Sequence, residues 1–126
     1  MTQEDLKKIK HDPDGLLTYE YIANHIDNCD NDLDVLIDNI INVDKSGQFT
    51  ASAARYLYAI DPEKYAVAVG DLIAATIDKD REHRYLPDIL QAIYGSNYHE
   101  QASELSAKDD NFRRIYKRLY PNPESL

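Results

Sequence analysis

Apolar residues recur at helical spacing along almost the whole chain, and this pattern constrains the fold more than any other feature. In "DNDLDVLIDNII" (30–41) the apolar positions are Leu33, Leu36, Ile37, Ile40 and Ile41, an i, i+3, i+4, i+7, i+8 order. No stretch shows the sustained apolar–polar alternation of a half-buried strand. We therefore predict an all-α protein without a sheet.

The breaks between these periodic stretches predict about eight short helices. We expect them at about 2–10, 16–28, 31–43, 49–60, 61–78, 81–94, 97–107 and 109–120. Short connections favour antiparallel helical hairpins. Residues 1–120 are expected to form one domain, and two prolines in "YPNPESL" predict a flexible tail at 121–126.

Local signals fix the helix starts more narrowly. Thr2 with Asp5, and Asn97 with Glu100, have the capping-box spacing, and "DPEK" (61–64) is typical of a helix N-terminus. Asp109 or Asp110 is expected to cap the last helix. Pro87 lies inside the sixth predicted helix, so we expect a kink there or two short helices that meet near Leu86.

One hairpin carries a family resemblance. "FTASAARYLYAIDPEKYAVAVGDLIAATID" (49–78) resembles a HEAT or armadillo-type unit in its small residues and sharp turn, and the proline of "RYLPDIL" (84–90) suits that family. Hairpins starting at 16, 49 and 81 have the spacing of helical repeats. The resemblance implies a HEAT-like right-handed stack, and a compact helical bundle is the alternative.

Charge limits the classes of partner. The chain has a net charge of −9, and residues 1–50 hold 11 acids against four lysines. Direct binding to nucleic acid or to anionic membranes requires clustered Lys and Arg, so we expect neither. No apolar stretch marks a signal peptide, and a cytoplasmic location is expected.

The aspartates of 30–41 have the beginning of a calcium loop, but the rest of the pattern is missing. An EF-hand loop needs Gly at position 6 and Glu at position 12, where this chain has Val35 and Ile41. We therefore interpret the segment as a helix. An acidic ridge without any base surrounds it and consists of Asp27, Asp30, Asp32, Asp34, Asp38 and Asp44. This ridge is either a solvated face or a binding surface. Because Asp34 and Asp38 are like charges at i, i+4, the ridge costs some helix stability, which hints at a binding role.

No catalytic or metal-binding pattern stands out. The chain has no nucleophile elbow, no S-x-x-K sequence and no phosphate-binding glycine loop. His25 and Cys29 share a helix face, but a zinc site needs more ligands than this pair. We expect neither enzymatic activity nor a cofactor, and Cys29 is expected to be a small buried residue.

These observations favour a small acidic protein that binds and neutralises a basic protein, such as a toxin or a nucleic-acid enzyme. In size and acidity the chain is similar to bacterial immunity proteins, antitoxins and inhibitors. A HEAT-like scaffold that binds a peptide along a groove with Tyr65, Asp71 and Thr76 is the alternative, and the oligomeric state stays open. The predicted partner-binding residues are Tyr19, Glu20, Asp27, Asp30, Asp34 and Asp38.

Overall fold

A computed structural model describes residues 1–121. Its eight α-helices are α1 (Gln3–Lys10), α2 (Leu16–Asn24), α3 (Leu33–Val43), α4 (Gln48–Ile60), α5 (Ala66–Lys79), α6 (Leu86–Tyr94), α7 (Ala102–Lys108) and α8 (Asp110–Leu119). One 3₁₀ turn, Asp30–Asp32, leads into α3. The described residues contain no strand, so the all-α prediction is confirmed. The predicted tail falls almost entirely outside the described residues.

The helices form two series, and within each series every helix contacts the next member along the chain. The even-numbered helices α2, α4 and α6 contact in series, and so do α1, α3 and α5. At the C-terminal end α8, rather than α7, continues the second series by packing on α5. Contact between alternate helices is expected of stacked hairpins. Kinship with HEAT or armadillo proteins stays a prediction.

A single cluster of buried apolar side chains extends from Ile9 to Tyr116 and joins the two series. Small residues on one face of α4 allow α5 to pack closely: Ala51, Ala53 and Ala54 are all buried there. Among the described residues, no helix combines the length and the apolar character needed to cross a membrane.

Two predicted caps are confirmed. The Thr2 hydroxyl accepts the Asp5 amide at 3.0 Å, and the Asp5 carboxylate accepts the Thr2 amide in return. Asp109 caps α8 by accepting the Phe112 amide at 3.0 Å. These two helices therefore begin where the sequence signals placed them.

Two other predicted helix starts are wrong. The Asp61 carboxylate accepts the amides of Glu63 and Lys64, but it caps a turn, and α5 begins only at Ala66. Residues 97–101 form successive i→i+3 turns that bury Tyr98, so α7 begins at Ala102. In both places a side chain next to the capping signal, Tyr65 or Tyr98, enters the core before the helix starts.

Pro87 does not kink a helix. The sixth helix begins at Leu86 rather than near residue 81, so Pro87 lies in its first turn. A first-turn amide has no intrahelical acceptor, and proline loses nothing there. The residues before Leu86 form a loop in which His83 has a positive φ of 57°.

Candidate functional site

A repeated turn joins the helices on one edge of the molecule. Three aspartates, Asp12, Asp44 and Asp80, stand after α1, α3 and α5, and each is at most 4% exposed. Each carboxylate accepts backbone amides from the turn and from the start of the next helix. The turns are therefore held by buried charge-assisted hydrogen bonds, which are stronger than neutral ones.

The first two turns share a sequence as well as a geometry. "DPDGLLT" (12–18) and "DKSGQFT" (44–50) both read D-x-x-G-x-x-T. Gly15 and Gly47 have φ values of 108° and 90°, which favour glycine. In the third turn His83 takes the positive-φ position and Leu86 replaces the threonine. The two copies begin 32 residues apart, at Asp12 and Asp44. Helical periodicity does not detect this repeat, because it lies in the turns between helices.

The repeated threonines tie the two series of helices together. The Thr18 hydroxyl donates to Asp12 at 2.7 Å and accepts from the side-chain amide of Asn39 on α3. The Thr50 hydroxyl lies 2.8 Å from that of Thr76 on α5. Each turn thereby fixes a pair of consecutive helices, α2 with α3 and α4 with α5.

A groove of about 360 Å³, which we call the α3–α5 groove, lies between α3 and α5. It is lined by Leu33, Asp34, Ile37, Asp38, Lys64, Tyr65, Val67, Ala68 and Asp71. Its apolar lining includes Val67, which is 79% exposed and is the most exposed large apolar side chain of the described residues. Val67 is therefore an apolar contact point that the core of the protein does not cover.

Carboxylates dominate the charge of this groove. Asp34 and Asp38 on α3 and Asp71 on α5 are exposed, and none of them forms an ion pair with a base among residues 1–121. The base in the lining, Lys64, is already engaged by Asp30 at 2.9 Å. The groove therefore presents a negative field around the exposed side chain of Val67.

Lys64 is held in place from two sides. Its ammonium group binds the Asp30 carboxylate and lies 5.2 Å from the centre of the Tyr65 ring. The hydrogen bond that Lys64 donates to Asp30, with a smaller contribution from Tyr65, raises the pKa of Lys64. The charge of Lys64 is thus matched by Asp30 and leaves Asp34, Asp38 and Asp71 uncompensated.

Only part of the predicted binding set meets at this groove. Asp34 and Asp38 line it, and Asp30 borders it through Lys64. Glu20 and Asp27 are exposed on α2 and on the turn that follows it, and neither lines the groove. Glu20 and Asp27 therefore add to the negative charge of the protein but do not contribute to the groove.

Tyr19, the predicted aromatic anchor, is committed elsewhere. It is half-buried against Tyr56 of α4, with the two rings edge to face and 6.3 Å between their centres. The groove takes its aromatic ring from Tyr65, whose side chain is 3% exposed. Of the alternative groove residues, Asp71 and Tyr65 line the site, whereas Thr76 is fully buried between helices.

One residue of α5, Val67, indicates the groove in the sequence. Val67 lies off the apolar stripe of α5, which consists of Val69, Leu72, Ile73 and Ile77. An apolar residue on the polar side of an amphipathic helix marks surface that the protein's own core does not cover.

Known protein families, curated proteins and solved structures gave no significant match to the chain. Within residues 1–121, no group of three or more His, Cys, Asp or Glu side chains is arranged to hold a metal ion. Cys29 is buried, as predicted, and burial raises the pKa of its thiol.

Proposed function

We propose that this chain is a small acidic binding protein that captures a basic protein through the α3–α5 groove and neutralises it. The observation that carries this proposal is the set of three exposed carboxylates, Asp34, Asp38 and Asp71, which have no ion-pair partner within residues 1–121 and lie around the exposed Val67. A partner with a toxic or nucleolytic activity would be blocked when its cationic surface is occupied.

Charge complementarity supports this class of partner. A negative field of this kind accelerates encounter with a cationic surface and orients it. A nuclease presents lysines and arginines where it binds the phosphate backbone, and these groups match the groove's carboxylates. Binding there would exclude the nucleic acid, as expected of an immunity protein, antitoxin or inhibitor in a bacterial cytoplasm.

The apolar lining adds what charge alone does not supply. Buried contacts at the centre of an interface provide most of its affinity, while charges at the rim set rate and specificity. Val67 is placed to provide such a contact beside the acidic groups. The matching segment of the partner is a base-rich helix or loop with at least one apolar side chain.

A second candidate function is a scaffold that binds a peptide without neutralising anything. The serial contacts of α2, α4 and α6 and of α1, α3 and α5 favour it, since stacked hairpins commonly present grooves to peptides. A scaffold that binds through shape and backbone contacts would lose little affinity as the salt concentration rises. A neutralising protein that binds through its carboxylates would lose much of its affinity under the same conditions.

Photocrosslinking in the native host distinguishes the two. A benzoylphenylalanine at Val67 should capture a protein rich in Lys and Arg, whereas the same group at exposed Ala92 on α6 should not. The purified partner should lose its own activity on binding. Its affinity should fall steeply between 50 and 300 mM salt, because salt in this range screens attraction between exposed charges. Capture at Ala92 alone, or affinity indifferent to salt, would count against neutralisation.

A further inference from the structure

A second charged cavity lies on the edge where the aspartate turns meet. It has a volume of about 270 Å³ and is lined by Lys45, Ser46, Lys79, Asp80, Arg81, Glu82, Arg84 and Tyr85. Four of these eight residues are cations, in a protein whose net charge is −9. We call this cavity the turn pocket.

The carboxylates of the turn pocket do not neutralise it. Asp80 is buried and directs both oxygens at the backbone amides of Arg84, Tyr85 and Leu86, at 2.7–2.9 Å. Glu82 pairs with Arg84 at 2.6 Å. Within residues 1–121, Lys45, Lys79 and Arg81 have no carboxylate oxygen within ion-pair distance.

The backbone holds these cations close together. Gly47 lets the α3–α4 turn approach the α5–α6 turn, because a Cβ at Gly47 would lie only 3.3 Å from Cβ of Asp80 and 3.5 Å from Cβ of Lys79. The hydrogen bonds of Asp80 fix the following loop. Lys45 on one turn is thereby brought beside Lys79 and Arg81 on the other.

The cationic surface continues past Arg81. A neighbouring cavity of about 530 Å³ is lined by Arg81, Arg118 and Asp78. Arg118 donates to the Ile77 carbonyl at 2.8 Å, which fixes its guanidinium group at the C-terminal end of α5. Asp78, in turn, is paired with Arg114 at 3.1 Å. Arg81 thus joins two adjacent regions that lack a free carboxylate.

We propose that the turn pocket binds a small phosphorylated ligand, with Lys45, Lys79 and Arg81 contacting its phosphate oxygens. Lys and Arg are the side chains that proteins use for such oxygens. The ligand must be small, because the cavity has a volume of only about 270 Å³ and a chain with a net charge of −9 repels a long polyanion. Half-buried Tyr85 supplies the one aromatic ring of the lining.

Titration with inorganic pyrophosphate at low salt, followed in ¹H–¹⁵N spectra, tests this site. We expect saturable shifts at the amides of 45–47 and 79–85. Lys79→Gln with Arg81→Gln should weaken binding about tenfold or more, because two direct contacts are lost. Lys7→Gln with Lys10→Gln removes the same charge from exposed positions on α1, and it should weaken binding less than about twofold.

Citrate and a single-stranded DNA oligonucleotide complete the experiment. Weaker binding of both than of pyrophosphate supports a small phosphate ligand. Equal binding of citrate would overturn the assignment to phosphate, and tighter binding of DNA would overturn the restriction to small ligands. No saturable pyrophosphate binding, or equal losses in the two double variants, would overturn the site itself. Unchanged thermal unfolding of the variants excludes misfolding as the cause of a loss.

Discussion

The Asp44 carboxylate holds the start of α4 by accepting the backbone amide of Thr50 at 2.9 Å, as Asp12 does for Thr18 at 2.8 Å in the turn before. Asp44 also accepts the amides of Ser46, Gly47 and Phe49, so one buried side chain satisfies four backbone donors. The α3–α4 turn, which contributes Lys45 and Ser46 to the turn pocket, therefore depends on this residue.

Removing the Asp44 carboxylate should destabilise the whole domain. Asp44→Ala leaves buried donors without an acceptor, and we expect a loss of about 3 kcal/mol or more in the free energy of unfolding. Asp38→Ala, an exposed substitution on the preceding helix α3, should change it by less than about 0.5 kcal/mol. Urea unfolding of both variants checks this, and equal small effects would show that the turn does not need its aspartate.

Asp12 should make stability sensitive to acid. Burial opposes its ionisation, but hydrogen bonds from Thr18, Gly15 and Asp14 outweigh burial and lower its pKa. Because the pKa of Asp12 is lower in the folded state, its carboxylate stabilises the fold at pH values above its unfolded pKa, about 3.9. This stability is lost as the pH falls through the pKa of Asp12 in the folded state.

Thermal unfolding between pH 2 and pH 6 measures this contribution. Asp12→Asn should be less stable at pH 6, because the amide group replaces one acceptor oxygen by a donor. The difference between the wild type and the variant should shrink below about pH 4. A difference that stays constant down to pH 2 would contradict a lowered pKa at Asp12.

Tyr98 should make stability sensitive to base. Burial, followed by a hydrogen bond and charge interaction with Tyr120, raises the pKa of Tyr98 to about 12. The neutral phenol is favoured in the folded state, so its contribution is complete below the unfolded pKa, about 10, and is lost as pH rises towards 12.

Tyr98→Phe removes this titration while keeping the ring. The variant should lose less stability than the wild type between pH 9.5 and pH 11.5, since it has no phenol at this position to ionise. Denaturant unfolding at a series of alkaline pH values gives the comparison. Identical alkaline slopes in the two proteins would be the contrary result.

Gly70 should tolerate alanine with a gain in stability. It lies inside α5, and a Cβ built there meets no atom within 4 Å, so close packing does not require a glycine at this position. Gly70→Ala should stabilise the fold by about 0.5–1 kcal/mol, because alanine loses less backbone entropy. A lower melting temperature would show that the space beside Gly70 is needed.

The parts of the fold that follow from periodicity and caps could be predicted from the sequence. The apolar stripe of α3 and the cap of α8 are local signals, and both appear in the structure. Where a capping signal competed with burial of a nearby tyrosine, as at Asp61 and Tyr65, burial delayed the helix start.

The site was only half predictable, because a groove is a relation between helices. The sequence indicated Asp34 and Asp38 as an acidic ridge, but their meeting with Asp71 and Val67 depends on how α3 packs beside α5. Glu20 and Asp27 satisfied the same criterion of charge and lie elsewhere. Charge runs alone do not indicate which acids share a surface.

Charge reversal in two places tests the central proposal most directly. Asp34→Lys with Asp38→Lys reverses the groove, and Glu20→Lys with Asp27→Lys makes the same change in net charge away from it. The affinity of each variant is measured by calorimetry with the free partner that crosslinking at Val67 identifies. We expect a loss of affinity of about 100-fold for the first pair and below about threefold for the second. Equal losses for the two pairs, or none for the first, would contradict a partner site in the α3–α5 groove.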